Sequence, residues 1–254
     1  MIFLLGCLDR LLEAPYVLTP GLSEPRSIGI APDGGLLVTT RTGAFHIDGE
    51  GRAEQVGEPA EAVSGTPGHT WYLRKGQLEG GERALAVPGA VDVLGGWEGL
   101  LVLYPDHVER VNTSSLERTP VRLPVGDARA IALGPTGAYL VVTPAALLEL
   151  QGDTANTLVA GLVDARAAAT DTRGRIYVAQ GKDPALYRVD AGTLTLVAQY
   201  LDDPRDLHFG VGGLLPVENV YVANGAGTVD YRSEEHTSEL QSHSDLVCRL
   251  LLEK

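Results

Sequence analysis

The stretch RSIGIAPDGGLLV, residues 26–38, holds the pattern that decides the fold. It opens on Arg26, alternates large and small residues through Ile30, turns at Pro32-Asp33-Gly34 and resumes as an apolar run at Leu36. The same eight-residue interval from Arg to Gly recurs at Arg129/Gly137, Arg166/Gly174 and Arg205/Gly213. Ala60/Gly68 and Val91/Gly99 read as degenerate copies between them. The six starts are 34, 31, 38, 37 and 39 residues apart. A recurring interval of this size is the signature of a repeat architecture.

Each copy reads as strands. Arg26 to Ile30, Arg129 to Leu133 and Arg205 to Phe209 have the two-residue alternation of a strand. The Gly of each turn supplies the positive φ that tight turns need. A more continuous apolar run follows, as in Leu36 to Val38, Tyr139 to Val142 and Ile176 to Val178, which suits a strand buried on both faces. A third segment alternates again (Ala44 to Ile47, Val108 to Val111, Leu186 to Val189), and a fourth is shorter and more polar (Arg52 to Val56, Leu194 to Gln199). Four strands in about 37 residues, graded from apolar to polar, fit the blade of a β-propeller.

Six copies account for residues 26–231, but the last stops after its third strand, Thr228 to Tyr231. Tyr16 to Leu18 is an orphan strand ahead of the first copy. The linker after it, Leu22-Ser23-Glu24-Pro25-Arg26, mirrors Leu201-Asp202-Asp203-Pro204-Arg205, which follows a fourth strand. The N-terminal strand is therefore expected to complete the last blade and close the ring, leaving no long unpaired edge. The expectation is an all-β, six-bladed propeller of four-stranded antiparallel blades over residues 15–231. With its Arg-x-Ile-x-Ile, Pro-Asp-Gly, Leu-Leu-Val pattern, the chain resembles the six-bladed propellers of the NHL and TolB-like group.

The flanks read differently. Residues 232–254 resemble the translation of a sequencing adapter. Two constant adapter blocks lie in one reading frame, and the gap between them, over His243, Ser244 and the start of Asp245, has the length of an index. The other reading is an amphipathic helix with Leu246, Leu250 and Leu251 on one face. Residues 1–14 read as the remnant of a lipoprotein signal or linker. Leu4-Leu5-Gly6-Cys7 resembles a bacterial lipobox, which would lipidate Cys7 and tether the protein outside the cytoplasm. An ordinary apolar segment with a buried Cys is the alternative.

Net charge is −13 overall and −11 without residues 232–254. An acidic chain argues against nucleic acid as a partner, since that binding needs a basic surface. No apolar run reaches the roughly 20 residues of a transmembrane helix. Outside the tail, Cys7 is the lone cysteine, so no internal disulfide is expected.

Candidate chemistry sits in two columns. Arg26, Arg129, Arg166 and Arg205 would gather at one mouth of the central channel, each with an acid two residues earlier: Glu24, Asp127, Asp164 and Asp203. Positions i and i+2 of an extended chain share a face. The Arg column thus reads either as a ring of ion pairs between blades or as a site that holds a small anion through forked hydrogen bonds. The next column holds Glu61, Asp92 and Asp206, with small residues in the other blades. Three such carboxylates suit Ca²⁺ or another divalent cation. Lactonases of the SMP-30 type are similar in using channel carboxylates around a metal, though their motif has no residue-by-residue match here. The four histidines outside the tail, His46, His69, His107 and His208, show no ligand spacing. No nucleophile elbow or phosphate loop is present, so no catalytic residue is assigned. The sequence reads as a non-catalytic binding or interaction module for a small anion or a protein, with no cofactor. The alternative is a metal-dependent, lactonase-like hydrolase working at the channel mouth.

Overall fold

The computed structural model describes residues 16–31, 33–66, 69–96, 99–124, 126–210 and 219–233. Cys7 and residues 234–254 lie outside them. β1 (Tyr16–Thr19) precedes five complete blades. The first has β2 (Ser27–Ile30), β3 (Leu36–Thr39), β4 (Ala44–Ile47) and β5 (Ala53–Gly57). The second has β6 (Ala62–Thr66), β7 (His69–Arg74), β8 (Gln77–Gly80) and β9 (Arg83–Ala86). The third has β10 (Asp92–Gly96), β11 (Gly99–Leu103), β12 (His107–Val111) and β13 (Arg118–Arg122). The fourth has β14 (Ala130–Leu133), β15 (Tyr139–Thr143), β16 (Ala146–Gln151) and β17 (Thr154–Ala160). The fifth has β18 (Ala165–Thr170), β19 (Ile176–Gln180), β20 (Ala185–Asp190) and β21 (Thr193–Gln199). The sixth has β22 (Pro204–Phe209), β23 (Asn219–Asn224) and β24 (Thr228–Ser233). Every blade is an antiparallel meander, and a 3-10 turn at Pro135–Gly137 is the one helical element among the described residues.

The sixth sheet has the order β1-β24-β23-β22, so the N-terminal strand is its outer strand, as the linker symmetry predicts. The Leu22 N–H donates to Gly227 O at 2.9 Å and ties the incoming chain to the same blade. The innermost strands contact one another in turn, β2 to β6, β10, β14, β18 and β22, and β22 returns to β2. The fold is a closed six-bladed propeller.

Burial follows the gradient read from the sequence. Second strands β3 and β23 are buried throughout, while outer strands β5 and β9 are almost wholly exposed. The apolar core is divided into six clusters, one per seam between blades. The cluster between blades five and six is built on Tyr177, Leu207 and Phe209, with the two rings 5.0 Å apart. The seam between blades one and two has the smallest cluster, Ala31, Leu37 and Val63 against Tyr72. There β7 alternates, and Arg74 lies 4.5 Å over the Tyr72 ring while pairing with Glu79 at 2.7 Å. The turn glycines behave as expected: Gly34, Gly99, Gly137 and Gly174 have φ of 86°, 138°, 82° and 78°.

Among the described residues no helix is long and apolar enough to cross a membrane. Strand β24 runs to Ser233, two residues past the predicted boundary at Tyr231.

Candidate functional site

Innermost strands are edge strands. Half of their N–H groups point toward the channel or the next blade and have no ladder partner. A buried donor left this way costs about 1–3 kcal/mol, so partners are expected. Side chains of the second column supply three of them, and Ser64, two residues beyond the column position of Ala62, supplies another. Asp206 accepts from its own neighbour Leu207 N (2.8 Å) and, across the seam, from Ile28 N of blade one (2.9 Å). Asp92 likewise spans Val93 N (2.8 Å) and Ile131 N of blade four (2.9 Å). Ser27 Oγ accepts from Val63 N of blade two (3.3 Å), and Ser64 Oγ accepts from Gly95 N of blade three (2.8 Å).

Four seams are stitched in this way. At the other two, the column holds Ala130 and Ala167, which have no acceptor. Those seams are bridged at the mouth by ion pairs instead. Arg129 of blade four reaches Asp164 at the entry to blade five (2.5 Å). Arg166 of blade five reaches Asp203 at the entry to blade six (3.6 Å).

The Arg column lies where the sequence places it, with one change of register. Backbone N–H groups of Arg26, Val91 and Arg129 each donate to the end of the neighbouring second strand at 2.8 Å, and Glu61 N makes the same bond to Leu73 O. Glu61, not Ala60, therefore occupies the Arg column of blade two, and it leaves the column of Asp92 and Asp206. Its Oε2 accepts from Lys75 N at 2.9 Å. Arg166 and Arg205 stand at β-bulges, which re-aim a side chain without breaking the strand.

The acids two residues before each Arg are not in extended chain. Glu24, Asp127, Asp164 and Asp203 have φ of 51°, 63°, 56° and 61°. Asp tolerates this left-handed region better than most residues because its short side chain bonds locally. Only two of the four pair with their own Arg: Asp164 with Arg166 at 2.7 Å and Asp203 with Arg205 at 2.5 Å. Cross-strand neighbours explain the difference. Gly181 and Gly225 follow the second strands of blades five and six. A β-carbon there would stand 2.6 Å from Arg166 Nε and 2.3 Å from Asp203 Oδ2. Blade four has Pro144 at this place, and Asp127 does not pair with Arg129. Blade one has Arg41, which takes Glu24 at 3.2 Å.

The result is an uneven ring. Arg26, Glu61, Arg129, Asp164, Arg166 and Arg205 line a cavity of about 580 Å³. Arg129, Asp164, Arg166, Asp203 and Arg205 form one alternating network. The hydrogen bond from Arg166 holds the Asp164 carboxyl below its usual range against the opposing effect of burial, and Arg129 adds to it. Arg26 is exposed, and among the described residues its guanidinium has no carboxylate partner. Four guanidiniums line the cavity with Glu61 and Asp164, and Glu24, Asp127 and Asp203 lie at the same entry positions.

Below the mouth, blades three and six lie opposite each other and present Asp92 and Asp206 to the channel. Burial raises both carboxyls. Asp92 is pushed further, to about 8, because the Asp206 charge adds to desolvation. Asp206 reaches about 6, held back by the N–H of Ile28 and by Ser27. Burial pulls the His208 pKa down, and its Nδ1–H donates to Phe209 O at 2.7 Å.

The register also bears on the metal set. With Glu61 turned to Lys75 N, the three carboxylates named from the sequence do not converge. Among the described residues no group of three His, Cys, Asp or Glu side chains is placed to hold a metal ion. The donor set therefore does not fit a three-carboxylate cation site.

No protein-family model matches the sequence, and no curated protein matches it. Solved structures do. A gluconolactonase from Xanthomonas campestris superposes with a TM-score of 0.68 at 10% identity, over 85% of this chain and 88% of that one. The calcium-binding protein regucalcin from Agrobacterium tumefaciens gives 0.63 at 14% identity, over 87% and 93%. Virginiamycin B lyase from Staphylococcus aureus gives 0.58 at 12% identity, over 83% and 84%. The likeness is one of fold. Propellers of this kind carry unrelated chemistries, so function rests on the site.

Proposed function

We propose that this propeller is a non-catalytic binding module that takes a small anion, free or carried by a protein, at the Arg-lined mouth of its channel. The observation that carries the reading is Arg26. It shares a cavity with three other guanidiniums and is the one among them without a carboxylate partner in the described structure. A planar guanidinium offers forked hydrogen bonds to carboxylate or phosphate. The Arg129–Asp164–Arg166–Asp203–Arg205 network is already satisfied, and its part is to bridge two seams.

The two roles separate by mutation. Arg26→Ala is expected to weaken binding of glutarate or inorganic phosphate about tenfold at low salt, with the melting temperature unchanged. Arg129→Ala with Arg166→Ala is expected to lower the melting temperature by several degrees, because both unstitched seams lose their bridge. Calorimetric titration and thermal melts of the two variants check this. Equal anion binding by wild type and Arg26→Ala would remove the basis of the reading.

A second reading is a metal-dependent, lactonase-like hydrolase at the channel mouth. It is supported by the fold likeness to gluconolactonases and by the pair Asp92 and Asp206 in the channel. Against it stands the scattered donor set. Ca²⁺-dependent turnover of a sugar lactone that is lost in Asp92→Asn would favour it over the binding module.

A further inference from the structure

Blades two, three and six carry an acid at the same place on the third strand. The ladder sets Glu79 opposite Tyr72, Glu109 opposite Val102 and Asp230 opposite Val222. Two residues past each partner, on the same face, stand Arg74, Tyr104 and Asn224. In blade two, Arg74 Nη1 donates to Glu79 Oε2 at 2.7 Å. In blade three, the Tyr104 hydroxyl donates to Glu109 Oε2 at 3.1 Å, and Arg118 Nη1 reaches the same oxygen at 3.5 Å. In blade six the place is taken by Asn224, which is fully buried and whose Nδ2 donates to Thr228 Oγ1 at 3.1 Å. Two oxygens are left over. Asn224 Oδ1 and Asp230 Oδ1 are buried and have no hydrogen-bond partner among the described residues, and Asp230 is only 6% exposed.

These groups form one cluster. Thr228 faces Asn224 across the hairpin between β23 and β24, and Asp230 is the next residue of β24 on that face. It is the face turned to blade five, since Val222 packs in the cluster of that seam. Asp202 joins them from the linker that leaves blade five, and its carbonyl oxygen accepts from Ala226 N of the same hairpin at 3.5 Å. Burial raises the Asp230 carboxyl, hydrogen bonds from Thr228 and Asn224 pull it back down, and the charge of Asp202 raises it again. Two carboxylates thus stand close together, one of them buried, and the guanidinium or hydroxyl that serves the other two blades is missing. A buried acceptor without a partner is costly, and a buried charge more so.

We propose that the β23–β24 hairpin of blade six binds a Ca²⁺ ion, with Asp230 Oδ1 and Asn224 Oδ1 as ligands and Asp202 supplying the second negative charge. The donors are all oxygen, which selects a hard cation, and two carboxylates match a divalent one. An amide oxygen and the Thr228 hydroxyl stand where a third carboxylate would otherwise be needed. The ion takes the part that Arg74 plays for Glu79. It also ties the linker of blade five to β24, the strand that holds β1 and closes the ring. The site lies on the seam with blade five, apart from the Arg-lined mouth, and does not depend on the anion-binding reading.

The test is the melting temperature of the full chain at neutral pH, stripped with EDTA and then titrated with CaCl₂. At about ten times the dissociation constant, Ca²⁺ is expected to raise it by roughly 3–6 °C. Asp230→Asn should abolish the rise. Asp202→Asn changes an exposed side chain, so it should melt like wild type in EDTA and need about tenfold more Ca²⁺ for the same rise. Asp92→Asn should keep the full rise, because the channel carboxylates are not ligands of this ion. No rise in wild type would overturn the proposal and leave a proton as the partner of Asp230. A rise that persists in Asp230→Asn, or one that is lost in Asp92→Asn, would overturn it by placing the ion elsewhere. Unchanged Ca²⁺ affinity in Asp202→Asn would overturn it even if Asp230→Asn does not fold.

Discussion

Gly95→Ala is expected to destabilise the fold by about 3 kcal/mol or more, because the inner strands of blades two and three approach backbone to backbone. A β-carbon at Gly95 would stand 1.9 Å from the carbonyl oxygen of Gly65 and 2.6 Å from its carbonyl carbon. Neither atom can move without shifting an inner strand, and the Gly95 N–H would lose its bond to Ser64 Oγ. In a domain of this size the loss corresponds to a fall of roughly 6–12 °C in melting temperature. Gly126→Ala is the control. A β-carbon there would meet no heavy atom within 4 Å, and the Gly126 φ is not in the left-handed region, so little change is expected. Equal melting temperatures for the two variants would mean that the inner strands are not in contact.

The second large effect is a pH dependence. Burial raises the Asp92 carboxyl to about 8 and that of Asp206 to about 6. An unfolded chain titrates these groups near 4. The folded state thus holds their protons more tightly, and the stability they confer is full below about pH 4. It is lost as pH rises through the folded values. Asp164, whose carboxyl is lowered, works in the opposite sense: its contribution is present above the usual carboxyl range and is lost in acid. Stability is therefore expected to peak at about pH 4, near the usual carboxyl range, and to decline as pH rises toward 9. Asp92→Asn should flatten that decline. It should also cost about 1–3 kcal/mol at pH 5, because an amide nitrogen cannot accept from Val93 N or Ile131 N. Urea unfolding at pH 5, 7 and 9 reads both effects. An unchanged slope in Asp92→Asn would exclude the channel carboxylates as its source.

The blades were legible because each strand carries its own burial signature, and the seam because two linkers share a Leu-x-x-Pro-Arg pattern. The column register of blade two was not. Aligning Ala60 by its distance to Gly68 misses that the ladder places Glu61 N against Leu73 O. The pairing of each Arg was half legible. An acid two residues upstream is visible in the chain, but whether it pairs is decided by residue 41, 144, 181 or 225 on the neighbouring strand. In retrospect Gln180-Gly181 and Asn224-Gly225 mark the two blades that close the pair.

In the sequence, Asp92 and Asp206 stand out as carboxylates near the channel that could hold a cation. Their observed partners are orphan N–H groups of edge strands. That need belongs to every innermost strand: Ser27, Asp92 and Asp206 meet it from one column, and Ser64 meets it from two residues further along its strand. At the seams after Ala130 and Ala167, the burden passes to Arg and Asp at the mouth. Those seams consume two of the four arginines in ion pairs that span blades, and a third is paired within its own blade. Arg26 is what remains.

The claim that Arg26 is the anion receptor is tested most directly by following the arginine Nε–H resonances during a glutarate titration at low salt. The Arg26 resonance is expected to shift saturably, with smaller changes at Arg129, Arg166 and Arg205 and none at a surface residue such as Arg83. A titration in which Arg26 does not move, or moves no more than Arg83, would contradict the account.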